Sequence, residues 1–318
     1  MRYLVTGCAG FIGSSLTDRL LADGHEVVGY DNFSTGQERF LPRPPASAGF
    51  RLVRADLANS QTLSAAMDGV EFVFHLAANA DVRFGTTRPR KDLEQNTIAT
   101  HNVLEAMRQN GIRRIGFSSS GSVYGESPLI PTPEDAPFPV QTSLYGASKL
   151  AAEGLITAYC AGFGFQSYIF RLVSILGERY THGHVFDFYK QLRAHPDTLT
   201  VLGDGRQRKS YLYVHDCVDA MLIAVARSGD SVNIFNVGHD SYCELNQSIG
   251  WVCSTLGLTP KIEYRGGQRG WVGDNPFIFL DTSRIRALGW RPTLTIRASV
   301  IRTLEFLETH SPLVDTHP

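Results

Sequence analysis

The chain has 318 residues, enough for about two structural units around a sizeable core, so a single small module is excluded. Thirty Lys and Arg against 31 Asp and Glu leave a net charge of −1. No global field therefore recruits nucleic acid or an anionic membrane surface, and an anionic ligand has to be held by local contacts. Cys8, Cys160, Cys217, Cys243 and Cys253 are odd in number and form no C-x-x-C pair, which fits reduced packing thiols in a reducing compartment. The first apolar run begins at residue 2 or 3, leaving no space for a signal peptide, and no run approaches the length of a membrane span. The expectation is a soluble, cytoplasmic protein.

Residues 2–6 read as a short apolar strand. Val5-Thr6-Gly7-Cys8-Ala9-Gly10-Phe11-Ile12-Gly13 then forms a glycine-rich turn into a helix over 11–21, which Gly24 breaks. Such a turn aims backbone N–H groups and a helix amino terminus at a pyrophosphate. Residues 27–30 are a second strand ending in Asp31, about 20 residues past the turn, where an acid accepts hydrogen bonds from an adenosine ribose. That placement favours NAD, since Asp31 would repel a 2′-phosphate; Arg39 and Arg43, in the loop that follows, argue the other way.

Strands are expected at 50–54, 71–78, 112–117 and 165–172, and helices at 60–67, with a Ser60 or Asn59 cap, and at 92–109, stopped by Gly111. The small residues closing the fourth strand, after Leu76 at Ala77 and Ala78, let backbone approach a cofactor. Prolines 128, 131, 133, 137 and 139 exclude a regular element over 127–142. A helix follows over 143–160. Beyond residue 172 the pattern is less regular, with a helix at 185–192, a strand at 200–202, a turn at Gly203-Asp204-Gly205, strand and helix signals over 211–226, and a final helix at 295–307. Alternating strands and helices define an α/β doubly wound parallel sheet, a Rossmann fold, with ligands at the carboxyl ends of its strands. A smaller, discontinuous C-terminal substrate domain completes the expected architecture. The first domain spans 1–172 and is revisited over about 211–237; the second comprises 173–210 and 238–318.

The chemistry is expected between Ser118 and Lys149. Tyr145 and Lys149, four apart on the expected helix, stand one above the other on one face. A phenol is a poor base at neutral pH, but a nearby ammonium favours the phenolate. Ser120, at the carboxyl end of the fifth strand, would join them on a substrate alcohol. Taken alone, a Tyr-x-x-x-Lys pair is more often a surface helix pair; the glycine turn upstream is the second signal that supports the catalytic reading. His182-Gly183-His184, without carboxylate or cysteine company, reads as a loop rather than a metal site.

Taken together, Thr6-Gly7-x-x-Gly10-Phe11-Ile12-Gly13, Asp31-Asn32, His75-Leu76-Ala77-Ala78, Asn96, Ser118-Ser119-Ser120-x-x-Val123-Tyr124-Gly125 and Tyr145-x-x-x-Lys149 resemble the extended short-chain dehydrogenase/reductase family. More narrowly they resemble its nucleotide-sugar epimerases and dehydratases, typified by UDP-glucose 4-epimerase. The resemblance covers nearly the whole chain. It implies that Tyr145 is the base, that Ser120 bonds the reacting oxygen, and that Lys149 lowers the Tyr145 pKa while holding the nicotinamide ribose. Asp56 and Leu57 would flank adenine, and Asn32, Leu76, Ala77, Ala78, Asn96 and Ser118 would complete the cofactor site. Ser122 would join Ser120 and Tyr145 on the substrate. Pairing through the helices at 92–109 and 143–160 would give a homodimer.

Two motifs depart from the family. Arg171-Leu172-Val173-Ser174 has Ser174 where Asn usually contacts the sugar diphosphate, and Gly203-Asp204-Gly205-Arg206-Gln207-Arg208-Lys209-Ser210 has Lys209 where the family has Arg, losing a bidentate fork. Arg269, near Gly273-Asp274, is a further candidate for the diphosphate. Family dehydratases and decarboxylases carry a carboxylate between the active-site hydroxyl and Val-Tyr-Gly; Gly121 and Ser122 stand here, so net elimination is disfavoured. The expectation is an NAD-dependent C4 epimerase of a nucleotide-diphosphate sugar, UDP favoured, passing through a 4-keto intermediate. The alternatives are a dehydratase, decarboxylase or reductase of the same family, or a dinucleotide sensor that would need no Ser-Tyr-Lys set.

Overall fold

A parallel sheet covered on both faces needs strands that are apolar along their whole length, and alternate residues must serve opposite cores. In the computed structural model, which describes residues 1–43, 48–79, 85–138, 140–270 and 274–310, this is how the amino-terminal strands are used. Strand β1 (Arg2–Thr6) leads through the glycine turn to α1 (Phe11–Ala22) and β2 (Glu26–Asp31). Tyr3, Val5 and Val27 face one core, whereas Leu4, Val28 and Tyr30 face the other. The edge strand β3 (Phe50–Arg54) is largely solvent-exposed. Helix α2 (Ser60–Ala66) is capped by Asn59, whose Oδ1 accepts the Thr62 N–H at 3.0 Å.

Strand β4 (Phe72–His75) is followed by α3 (Pro89–Asp92), a π-helical segment (Leu93–Ile98) and α4 (Ala99–Gln109). Then come β5 (Arg114–Ser120), a 3₁₀ turn (Gly121–Tyr124), α5 (Leu144–Phe163) and β6 (Gln166–Leu172). The chain leaves the sheet for β7 (Ser174–Leu176), α6 (His184–Ala194), β8 (Thr198–Val201), β9 (Arg208–Lys209) and β10 (Tyr211–Tyr213). It returns through α7 (Val214–Arg227) and β11 (Val232–Val237), then finishes with β12 (Cys243–Glu244), α8 (Leu245–Leu256), β13 (Lys261–Tyr264), β14 (Phe277–Ile278), α9 (Ser283–Ala287) and α10 (Ile296–Thr309).

The main sheet has seven parallel strands in the order β11-β6-β5-β4-β1-β2-β3. Its direction of winding reverses between β1 and β4, which opens a crevice at their carboxyl ends. The later strands form three small sheets: β7 with β10, β8 with β13, and β9 between β12 and β14. All five cysteines are free thiols.

Four elements depart from the sequence reading. The fourth strand stops at His75 rather than residue 78, because the N–H groups of Leu76 and Ala77 each donate to Thr6 Oγ1 at 3.2 Å, which turns the chain toward the glycine turn. The helix expected over 92–109 begins at Pro89 and widens into the π segment, where the Asn96 carbonyl accepts the Thr100 hydroxyl. The strand expected at 200–202 is β8, two residues earlier, in register with β13. Tyr211–Tyr213 pairs with β7 rather than the main sheet, and β11 is the strand that rejoins it. Of the five prolines in the loop before α5, Pro139 lies outside the described residues, as does Gly273 of the expected Gly-Asp pair.

His75 is fully buried, with Nδ1 on Thr6 Oγ1 at 2.7 Å and Nε2 on Thr100 Oγ1 at 3.0 Å, so it ties β4 to β1 and α4. Burial, with Lys149 nearby, pushes its pKa down to about 3. The unfolded chain takes up a proton near pH 6.5 that the folded chain refuses, so stability is lost as pH falls through that window. Urea titrations should lose about 1.4 kcal/mol per pH unit from His75 alone below pH 6.5. His75→Gln should flatten that slope; an unchanged slope would show that the imidazole charges within the fold.

Candidate active site

The glycine turn is shaped by what a side chain would strike. A Cβ on Gly7, whose φ is +73°, would lie 2.8 Å from the Ala77 nitrogen, and one on Gly13 would lie 2.0 Å from the Gly7 carbonyl oxygen. Backbone therefore meets backbone at the switch point. Gly10 is the N-cap of α1 and offers no side chain to the N–H groups of Phe11, Ile12 and Gly13, leaving the helix terminus as an anion cradle. Asp31, at the end of β2, accepts the Ala9 N–H at 2.9 Å and the Phe33 N–H at 2.8 Å. Burial raises its pKa, and those amides and Arg54 counter the rise. Asn32 donates to Asp56 Oδ2 at 2.7 Å, and Leu57 packs into the core beside them. These residues fit a dinucleotide: glycine backbone for the pyrophosphate, a carboxylate at the ribose position.

At the carboxyl end of β5, Ser120 Oγ accepts the Ser122 N–H at 3.1 Å and caps the 3₁₀ turn. Helix α5 starts at its N-cap Ser143, whose Oγ accepts the Gly146 N–H at 3.0 Å. Gly146 is packed so tightly that a Cβ would lie 2.7 Å from the Ser122 carbonyl oxygen. This contact sets Tyr145 beside the 3₁₀ turn, where the nearby Ser120 hydroxyl favours the ionised phenol. Burial outweighs that effect, and with Asp92 nearby it pushes the phenol up to about 12.

Lys149 is fully buried, its Nζ donating to the Ser118 carbonyl at 2.7 Å and lying 4.7 Å from the centre of the Phe117 ring. Burial pushes the amine down to about 7, and Glu153 and Asp92 hold it from falling further. For the Tyr145 phenol, burial thus outweighs the influences that favour its ionised form. In this conformation the amine is spent on Ser118, and desolvation dominates Tyr145.

Asn96 spans the loop after β4 and helix α5: its Oδ1 accepts the Asn79 N–H at 2.8 Å and its Nδ2 donates to Ser148 Oγ at 2.9 Å. Asn79 also donates to the buried Asp92 at 2.8 Å. The backbone of Leu76 and Ala77 lies against Gly7, and Ala78 follows them in the loop after β4. Farther along, Ser174 is exposed at the start of β7, and Lys209 on β9 is ion-paired with the buried Asp274. Arg269 pairs with Glu126 at 2.6 Å. Of the two histidines two apart, His184 bonds Ser248 Oγ at 2.8 Å and stacks near Tyr211, whereas His182 stacks on Tyr180.

The sequence reading missed the charges under the site. Arg171 on β6 is 2% exposed and Glu153, one turn beyond Lys149, is 4% exposed. They pair through Nη2 and Oε2 at 2.7 Å and through Nε to both oxygens at 3.1 and 3.2 Å. Ser119 Oγ donates to Glu153, and Arg171 Nη1 donates to Tyr124 Oη at 2.7 Å and the Glu134 carbonyl at 2.8 Å. Tyr124 in turn donates to Asn236 at 2.8 Å. The available signal was Arg171 standing between Phe170 and Leu172 in an apolar strand, which demands a buried acid.

A doubly wound parallel sheet with a glycine turn after β1 and Ser, Tyr and Lys converging after β5 defines the extended short-chain dehydrogenase/reductase class. Residues 3–238 match the NAD dependent epimerase/dehydratase family. The chain is 33% identical over 317 residues to UDP-glucose 4-epimerase of Mycolicibacterium smegmatis, covering 98% of this chain and all of the relative. It is similar to a crystal structure of UDP-galactose 4-epimerase at a TM-score of 0.87 and 38% identity, covering 98% of this chain and 99% of that one. A UDP-glucose 4-epimerase from Thermotoga maritima, solved with UDP-glucose, gives 0.88 at 28% identity, over 98% of this chain and 100% of that one. The protein belongs to the NAD dependent epimerase/dehydratase family.

Breaking the buried pair from one side leaves a charge without a partner. Arg171→Met should destabilise the fold by about 3–5 kcal/mol in urea titrations, and Arg171→Met with Glu153→Leu should recover most of that loss. A single variant within about 0.5 kcal/mol of the parent would mean that water reaches Glu153.

Proposed function

We propose that this protein is an NAD-dependent UDP-glucose 4-epimerase that interconverts UDP-glucose and UDP-galactose. The observation that carries the reading is the placing of Ser120, at the carboxyl end of β5, beside Tyr145 at the start of α5, with Lys149 one turn along that helix. NAD, when bound, would supply the hydride acceptor and donor of the reaction. The turn at Gly7, Gly10 and Gly13 would hold its pyrophosphate on the N–H groups of α1, and Asp31 and Asn32 would take the adenosine ribose.

Ser120 orients the C4 hydroxyl of the sugar, and Tyr145 Oη takes its proton as the C4–H bond breaks, leaving a 4-keto sugar. The same phenol gives the proton back after the sugar presents its other face. Burial holds the phenol near 12, where alone it is a poor base at neutral pH. The residue able to bring it down is Lys149, one turn along α5, because an ammonium beside a phenol favours the phenolate; Lys149 would also hold the nicotinamide ribose. Gly121 and Ser122 give the site no second carboxylate between Ser120 and Val123, so the chemistry stays at one carbon.

Lys209 and Arg269 are assigned to the diphosphate, with Ser174 and Ser122 as polar lining. Residues 1–172 and 211–237 form the cofactor lobe, and 173–210 with 238–318 the sugar-nucleotide lobe. Helices α4 and α5 are assigned to a homodimer interface, supported by Ile98 before α4 and Leu144 at the start of α5, 45% and 46% exposed, and by exposed Ala151, Gly154 and Ala158 along α5. Five free thiols support a cytoplasmic location.

Incubated with UDP-glucose, the NAD-loaded protein should form UDP-galactose. Tyr145→Phe should keep the fold and bound NAD but lose about 10²–10⁴-fold in kcat, the range for a general acid–base group. Near-parental turnover by Tyr145→Phe would overturn the assignment. Light scattering should give about twice the chain mass of 35.1 kDa at micromolar concentration, and the chain mass itself would remove the dimer.

A further inference from the structure

Arg269 is ion-paired with a carboxylate on the facing segment. Its Nη2 lies 2.6 Å from Glu126 Oε1, and the two side chains are 44% and 42% exposed. Glu126 directly follows Gly125, whose φ of +55° turns the chain out of the 3₁₀ segment that carries Ser122. The opposing segment is anchored on either side of the pair. Asn275 donates to the Gly125 carbonyl, and Gly270 N–H donates to Asp274 Oδ2 at 2.9 Å. The second oxygen of Asp274 holds Lys209, which brings both cations assigned to the diphosphate into one hydrogen-bonded assembly.

The two carboxylates in that assembly differ in kind. Asp274 is 3% exposed and both its oxygens are engaged, so it is a fixed part of the frame that keeps Lys209 in place. Glu126 stands half in water on the rim, where an ion pair contributes little to stability and is exchanged at little cost. A diphosphate offers a guanidinium several anionic oxygens and a bidentate fit that outcompetes a solvated carboxylate. A Glu126 left in place would also repel it.

Resting on the assignment of Arg269 to the diphosphate, we propose that Glu126 holds the diphosphate's place on Arg269 and is displaced each time a nucleoside diphosphate sugar binds. Glu126 is thus a built-in competitor that lowers affinity for substrate and product alike.

Calorimetry of the NAD-loaded full chain with UDP tests this. Glu126→Gln, an isosteric change on a half-exposed side chain, should bind UDP about 3- to 10-fold more tightly at low salt, with the gain shrinking as salt rises. The gain should vanish when Arg269→Met is already present. If Glu126 were instead a strut that aims Arg269, Glu126→Gln would bind UDP more weakly, and that result, or an unchanged Kd, overturns the proposal while wild-type UDP binding keeps the epimerase reading. Wild-type protein that binds no UDP overturns both.

Discussion

A guanidinium and a carboxylate removed together from water fix helix α5 to the central sheet. Each charge alone would cost several kcal/mol to bury, and only the full set of partners offsets that cost. Arg171 receives both Glu153 oxygens, the Tyr124 hydroxyl and the Glu134 carbonyl, while Ser119 supplies Glu153 with a further donor. Ser119 lies between Ser118, which holds Lys149, and Ser120, which stands beside Tyr145. Glu153 is four residues beyond Lys149 on the same helix face. One buried pair therefore sets the rotation and height of α5 relative to the end of β5, and with them the placing of hydroxyl, phenol and amine.

The same burial that fixes the geometry moves the titrations. Desolvation drives the Tyr145 phenol and the Lys149 amine toward their neutral forms, one upward and one downward. The Lys149 amine is meanwhile satisfied by the Ser118 backbone carbonyl. The glycine turn shows the complementary strategy: contact is so close between Gly13 and the Gly7 carbonyl that sequence variation is excluded by sterics alone.

Much of this was legible from local pattern. The alternation of short apolar strands with helices marked the doubly wound sheet, and the glycine turn after the first strand marked the cofactor end. Ser143 and Gly146 bracket the start of α5 in a way that a cap signal can reveal. What escaped depends on partners far apart in the chain. The π segment keeps the apolar spacing of a helix, so periodicity does not betray it. Arg171 in its apolar strand signals that a buried acid is needed, but Glu153 looks like an ordinary surface charge until the fold brings the two together, and Glu126 and Arg269 meet only across the two halves of the chain. The upward shift of Tyr145 depends on the fold in the same way: spacing reports which groups are neighbours, but the balance between a neighbouring charge and lost water is set by burial.

In the proposed reaction one carbon is oxidised and re-reduced with its own hydride, and no second C–H bond is opened. The direct measurement is NMR of the product formed from UDP-glucose by the NAD-loaded protein in D₂O. The account predicts UDP-galactose with no carbon-bound deuterium, since only hydroxyl protons exchange with solvent. Deuterium at C3 or C5, or a product lighter by one water, would show a second proton-transfer site and contradict it.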